Sequence, residues 1–165
     1  MSTRCLIAID QPESVRAIYC HHDGYPDGVG NILFKHYRDR NKVQSLINLG
    51  GLSSLGAKIG PEKPMFDDRG MQVESVTVAY YRDMGHDGIV SHILPSREEL
   101  ADFFRQANVA GKSMIRYIYL FQDGQWHCSD LWQTERWNLL ECFIVQNIVK
   151  NDGVGFRASF DSASL

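Results

Sequence analysis

Two histidines and an aspartate in the first quarter of the chain have the side chains best suited to chemistry. His21 and Asp23 lie in a glycine-rich loop, and His36 follows on the next predicted helix. A His/Asp/His set can bind a divalent transition metal, and a His–Asp pair can act as a general base. These residues define a candidate hydrolase site if that helix folds back over the loop. Because the spacing matches no standard zinc motif, we assign no metal and no cofactor.

The glycine loop suggests a second chemistry, the binding of an anion. Gly28 and Gly30 lead into a helix start, where free backbone N–H groups favour negative charge. The plainer alternative is a tight turn whose polar side chains bond to its own backbone. A phosphorylated nucleotide is the ligand that this loop would hold. The predicted ligand-binding residues are Arg4, His21, Asp23, Tyr25, Asp27, Gly28, Gly30, His36, Tyr37 and Arg38.

A predicted hairpin positions the start of this loop. Arg4–Asp10 and Val15–His21 both alternate between apolar and polar residues, with turn-forming residues between them. Closing the hairpin there sets Cys5 opposite Cys20 on one apolar face. It also brings Arg4 beside His21, at the end of the hairpin away from its turn.

Capping residues and apolar spacing predict four helices. Asp39 is a predicted N-cap, and Ser96 with Glu99 forms a capping box. Apolar residues at helical spacing predict two further helices, which begin near Asn31 and Leu140.

The remaining segments read as a loop and four strands. Residues 51–72 are rich in glycine and proline, which predicts a long loop. Val73–Tyr81 is a predicted strand, and Ile89–Leu94 could pair briefly. Met114–Phe121 and Trp126–Leu131 flank Asp-Gly and predict a second hairpin, in which His127 lies opposite Leu120. Its aromatic face is interpreted as core rather than as a nucleic-acid platform.

This order of elements predicts an α+β fold. We expect a mainly antiparallel sheet of about five strands, with helices packed on one face. Residues 1–153 are expected to form a single globular domain, and 154–165 a polar C-terminal tail.

Composition limits the partners that we expect. Seventeen Lys and Arg against twenty Asp and Glu give a net charge of -3, so nucleic acid is disfavoured as a partner. The chain shows neither an apolar run long enough to span a membrane nor a secretory signal. Its four cysteines include no C-x-x-C pair. Reduced thiols and a cytoplasmic location are therefore expected.

The stretch Ile18–Gly30, with His36-Tyr37 after it, carries a resemblance. Together with the opening Ser2-Thr3-Arg4 and the segment Leu49–Gly56, it resembles a family of small bacteriophage and prophage proteins. That family commonly starts S-T-R and carries an H-x-D-G-Y-P-x-G-V-G loop. The resemblance covers roughly the first third of the chain. It implies a phage or prophage setting and an accessory role, without an established activity.

The leading hypothesis is therefore a cytosolic phage accessory protein, in a bacterial host, that acts by binding. Its partner would be a host protein, and its effect would be to engage a host factor or to counter a host defence. One alternative is a nucleotide or phosphate sponge at the Gly28–Gly30 loop. Another is a small hydrolase that uses His21, Asp23 and His36. Self-association of the chain is left open, and an enzyme is the less favoured class.

Overall fold

Strands and short helices alternate along the computed structural model, which describes residues 2–60, 69, 76–133 and 136–151. The strands are β1 Arg4–Gln11, β2 Ser14–Cys20, β3 Leu52–Ser54, β4 Val78–Ala79, β5 His92–Leu94, β6 Ile115–Gln122, β7 Gln125–Asp130 and β8 Asn138–Leu139. The helical segments are a π-helical turn at Pro26–Gly30, α1 Asn31–His36, α2 Arg40–Ile47, α3 Tyr80–Met84, α4 Arg97–Val109 and α5 Leu140–Asn151. The predicted tail, 154–165, lies outside the described residues.

Both predicted hairpins are present in the expected register. In the first, Cys5 lies opposite Cys20 in an antiparallel pair. In the second, Leu120 lies opposite His127. Both registers follow from local alternation, because a shift by one residue would move every apolar side chain to the other face.

All eight strands belong to one mixed sheet, in the order β4-β3-β2-β1-β6-β7-β8, with β5 also paired to β2. Strand β6 runs parallel to β1, and β3 runs parallel to β2. The α+β class is confirmed, but the prediction of about five, mainly antiparallel strands is wrong. Helix α4 follows β5 and returns the chain to the other end of the sheet, so β6 enters in the same direction as β1.

Helices cover both faces of the sheet, which corrects the prediction that they pack on one. Helices α1, α2 and α5 pack on the face that carries Cys5 and Ile7. Helix α4 packs on the face that carries Leu6 and Ala8. The reason lies in β1, where five consecutive residues, Cys5–Ile9, are buried. Apolar side chains on both faces of a strand need a cover on both sides.

The predicted caps hold α2 and α4 at their starts. The backbone N–H of Lys42 donates to the Asp39 carboxylate at 3.0 Å. The N–H of Glu99 donates to the Ser96 hydroxyl at 3.2 Å. These bonds satisfy N–H groups that have no partner inside the helix, so both predicted helix starts are confirmed.

The predicted strand Val73–Tyr81 is mostly wrong within the described residues. Only Val78–Ala79 is a strand, and Tyr80 begins α3; residues 73–75 lie outside the described part. The carboxylate of Asp83 accepts the N–H of Ala79 at 2.7 Å and so caps a helix where alternation predicts extended chain. The 51–72 loop also contains a short strand, β3.

Candidate functional site

The backbone N–H groups at the end of the glycine loop donate hydrogen bonds to carbonyl groups of the same loop. The N–H groups of Gly28 and Gly30 donate to the Tyr25 carbonyl oxygen at 3.0 and 3.4 Å, and that of Val29 donates to the Asp23 carbonyl oxygen at 2.8 Å. A Cβ added at Gly28 would overlap the same Asp23 oxygen. The prediction that the N–H groups of Gly28–Gly30 are free to bind an anion is therefore wrong. Within the π-helical turn, these N–H groups already donate to carbonyl groups of the same loop.

The three residues of the predicted hydrolase site lie apart. The ring of His21 contacts Tyr19 on the α4 face of the sheet. His36 ends α1, which packs on the opposite face. Asp23 is exposed, and its carboxylate accepts the Tyr25 hydroxyl at 3.2 Å. Among the described residues, no group of three or more His, Cys, Asp and Glu side chains could hold a metal ion. The predicted convergence is wrong because α1 covers the other face.

The other predicted ligand-binding residues divide between core and surface. Tyr37 is buried, and its hydroxyl donates to the Gly56 carbonyl at 2.7 Å. Arg38 stacks on Phe34, with its guanidinium carbon 5.1 Å from the ring centre. Arg4 stays close enough to His21 to lower the pKa of that imidazole, after the larger effects of burial and His22. Arg4 and His21 are thus the predicted pair that the structure brings together.

A pocket of about 320 Å³ lies next to this pair, and sequence reasoning missed it. Strand β2 pairs with β5 at Val15–Ala17 and with β3 only at Cys20, so Tyr19 lies where the two neighbouring strands diverge. Helix α3 and the loop after it close the gap. We call this cavity the tyrosine–histidine pocket. It is lined by Tyr19, Gly51, Tyr80, Tyr81, His86, Asp87, Gly88, Val90 and His92.

Ring contacts orient the histidines of this pocket. The ring centres of Tyr80 and His86 lie 4.9 Å apart at an angle of 34°. Gly85 ends α3 with a φ of +70°, which turns the chain so that the N–H of His86 reaches the Tyr80 carbonyl at 3.1 Å. His92 packs edge-on against Phe104 at 5.1 Å. The pocket walls are thus aromatic faces supported by the sheet and by α4.

Burial changes the acid–base behaviour of two groups in the pocket. It raises the pKa of the Tyr19 phenol, against the opposing charge of Arg4. It also lowers the pKa of His92. At neutral pH the phenol therefore keeps its proton and the imidazole of His92 stays neutral, so both can donate or accept hydrogen bonds. Apolar walls with a few such polar groups are typical of small-molecule sites.

The only sequence signal for this pocket is the adjacent pair Tyr80–Tyr81. The predicted strand would have placed these two rings on opposite faces of a sheet. The aromatic face of the second hairpin is buried core, as interpreted from the sequence, with Tyr119 and Phe121 almost fully covered.

Other cavities between described residues are more polar. One, of about 850 Å³, lies at the turn of the first hairpin beside the Arg40–Asp10 ion pair of 3.1 Å. Another, of about 550 Å³, is lined by His22, Asp23 and Ser53 among others. The backbone N–H of His22 donates to the Ser53 carbonyl there, at 3.1 Å.

None of the helices in the described ranges has the length and apolar character needed to cross a membrane. Comparisons with protein-family models, with curated proteins and with solved structures return no significant match to this chain.

Proposed function

We propose that this protein acts by binding, and that the tyrosine–histidine pocket holds a small planar ligand of the nucleotide class. The observation that carries the proposal is the aromatic lining of a pocket of about 320 Å³, with Tyr19, Tyr80 and Tyr81 around it. Tyrosine rings stack on nucleobases, and stacking contributes about 1–3 kcal/mol per base.

The charge beside the pocket favours a ligand that also carries a phosphate. Arg4 lies near Tyr19 and His21, since it lowers the pKa of both side chains. A guanidinium this close to Tyr19, which lines the pocket, would attract phosphate oxygens, and the neutral imidazole of His21 can donate to them. The phosphorylated ligand expected at the glycine loop is therefore proposed at this pocket instead.

The biological setting of the proposal rests on the resemblance to phage and prophage proteins. In that setting, sequestering a nucleotide inside the bacterial host cell would deny it to a host pathway and so counter a defence.

Titration calorimetry with adenosine, AMP and ribose 5-phosphate tests the proposal. Adenosine and AMP should bind, AMP more tightly, and ribose 5-phosphate should bind more weakly than AMP. Tyr81 is half exposed, so Tyr81→Ala should fold while weakening AMP binding by about 5- to 150-fold. The matched control is Tyr25→Ala, another exposed tyrosine, which lies outside the pocket. Absence of binding by a panel of the common nucleoside monophosphates, or unchanged affinity in Tyr81→Ala, would contradict it.

A host protein is the second candidate partner, and the surface around β5 favours it. Ile93 is 62% exposed, and Phe103 on the neighbouring helix α4 is 52% exposed. In the described part of the chain β5 pairs with β2 alone, which leaves its other edge available. An exposed strand edge with apolar side chains can accept a strand of another protein.

Affinity purification from bacterial lysate tests this candidate. Ile93→Lys should abolish capture of a specific host protein. Val109→Lys changes an equally apolar residue, 92% exposed at the end of α4, and should leave capture intact. Capture that survives Ile93→Lys would rule out the β5 surface.

A further inference from the structure

Two histidines, His86 and His92, line the tyrosine–histidine pocket. His86 follows the residue that ends α3, and His92 begins β5. The cavity of about 320 Å³ is near the lower limit, about 300 Å³, of sites that hold one small-molecule ligand. A single ligand that fills the cavity therefore contacts both imidazole rings.

Strand pairing places His92 beside Tyr19. His92 lies opposite Ala17 in the β2–β5 pair, and Tyr19 follows Ala17 two residues later on β2. Residues two apart on a strand point to the same face, so Tyr19 and His92 are diagonal neighbours on the face that α4 covers. The ring of His92 also packs edge-on against Phe104 of α4, which restricts its orientation.

The ring of Tyr80 supports His86 in a similar way. The two ring centres lie 4.9 Å apart, and the backbone N–H of His86 donates to the carbonyl of the same tyrosine at 3.1 Å. His86 is an exposed residue, so its imidazole can exchange protons with the solvent. Backbone and ring contacts thus hold this imidazole at the pocket while leaving it open to water.

Neither imidazole of the pocket is engaged in a hydrogen bond with the described part of the chain. By contrast, the Nδ1 of His21 bonds the Tyr19 hydroxyl, and the Nδ1 of His22 bonds the Ser2 hydroxyl. Burial lowers the pKa of His92, so at neutral pH this imidazole is neutral and can accept a proton. General acid–base catalysis needs such a proton acceptor and a second group that delivers a proton to the same ligand.

We propose that the tyrosine–histidine pocket hydrolyses nucleoside 2′,3′-cyclic phosphates, with His92 as the general base and His86 as the general acid. The inference rests on the proposed function, because the nucleoside must first bind beside the tyrosine rings. A cyclic phosphodiester suits two imidazoles, since the strain of its five-membered ring favours direct attack by water. The reaction then requires only a group that accepts the proton of the water and one that protonates the leaving oxygen.

Water is the second reactant. His92 takes a proton from the water molecule as its oxygen forms a bond to phosphorus. The bond between phosphorus and one ribose oxygen, O2′ or O3′, breaks, and the protonated imidazole of His86 gives that oxygen its proton. The product is a nucleoside monophosphate, and proton exchange with the solvent restores both histidines. The positive charge of Arg4, close enough to lower the pKa of Tyr19, favours the negative charge that develops on the phosphate oxygens.

Incubation of the protein with adenosine 2′,3′-cyclic phosphate tests the proposal, with ³¹P NMR to follow the conversion of the cyclic ester to the monophosphate. His86→Gln and His92→Gln should each reduce kcat by at least about 100-fold. Both variants should still bind AMP in titration calorimetry, which also shows that they are folded. Tyr81→Ala should instead raise KM, because it weakens binding of the base. His127→Gln is the control, a partly buried histidine outside the pocket, and should keep the turnover of the wild type.

Binding of AMP without turnover of the cyclic phosphates of the four common nucleosides would overturn this inference and leave the nucleotide pocket in place. Absence of binding by all nucleoside monophosphates would instead overturn the proposed function, and this inference with it. Turnover that persists in the double variant of His86→Gln and His92→Gln would show that other groups, or another protein in the sample, carry out the reaction. That result would also overturn the inference.

Discussion

The hydroxyl of Tyr19 and the Nδ1 of His21 share a hydrogen bond of 2.7 Å at the end of β2. Tyr19 lines the tyrosine–histidine pocket, whereas His21 begins the glycine-rich loop. The bond therefore joins the residue that sequence reasoning selected to a cavity that it did not foresee. A substitution at His21 is therefore expected to affect the pocket, because it removes the hydrogen-bond partner of Tyr19.

Replacing Arg4 should raise the pKa of both members of this pair. The positive charge of Arg4 lowers the pKa of His21 and of Tyr19, so Arg4→Gln removes an unfavourable interaction with the imidazolium and a favourable one with the phenolate. NMR titration of the His21 ring should show an upward shift relative to the wild type. Arg40→Gln, remote from the pair, serves as the control, and an unchanged His21 titration in Arg4→Gln would refute the coupling.

The protein should lose stability as the pH falls through the range in which histidine titrates. The folded-state pKa values of three histidines lie below the ordinary value of 6.5, with burial as the largest cause. Near and below pH 6.5 the unfolded chain therefore binds more protons than the folded protein. The contribution of these histidines to the free energy of unfolding is complete above that pH and decreases as the pH falls below it. The three histidines are His21, His92 and His127.

Urea unfolding at several pH values measures this dependence. The free energy of unfolding should decrease between about pH 7 and pH 5, and His92→Gln should flatten part of the decrease. A free energy of unfolding that rises on acidification in this range would show that the sign is wrong.

The loop should not tolerate a side chain at Gly28. A Cβ there would overlap the Asp23 carbonyl oxygen, so Gly28→Ala should destabilise the protein by about 1–3 kcal/mol. Gly51→Ala is the matched control, because its Cβ would lie 3.6 Å from Tyr80, an ordinary van der Waals distance. Thermal unfolding compares the two, and equal midpoints would mean that the loop can relax away from Asp23.

The hydroxyl of Tyr119 should stabilise the same loop from within the core. It donates to the Gly24 carbonyl at 2.8 Å, and the side chain is fully buried. Tyr119→Phe leaves that carbonyl without this donor and should cost about 1–3 kcal/mol. Tyr25→Phe removes a more exposed hydroxyl and should cost less. The free energy of unfolding from urea titration measures both, and a larger loss in Tyr25→Phe would contradict the expected order.

Thiol reactivity should distinguish Cys142 from the other cysteines. Cys142 is exposed, whereas Cys5, Cys20 and Cys128 are buried. Burial also raises the pKa of the Cys5 and Cys128 thiols, which lowers the thiolate fraction that reacts. A colorimetric disulfide reagent should therefore label one thiol rapidly in the native protein and all four after denaturation. Rapid native labelling that persists in Cys142→Ser would show that a buried thiol is accessible.

The sequence by itself determined the features that depend on near neighbours. Alternation set the register of both hairpins, because the side-chain period of a strand leaves only one way to bury an apolar face. The helix caps at Asp39 and Ser96 could also be predicted from the sequence, because each side chain accepts the N–H of a residue only three positions away. Where polar contacts compete with alternation, as at Asp83, the prediction gave a strand instead of α3.

Only the tertiary structure decided where the candidate site lies. Tyr19, Tyr80 and His92 meet because β3 and β5 diverge along one edge of β2, and no local pattern encodes which strands pair. The same pairing sent α1 to the face opposite His21. Pairing between distant segments depends on how the whole chain covers both faces of its sheet, which a reading of successive residues cannot supply.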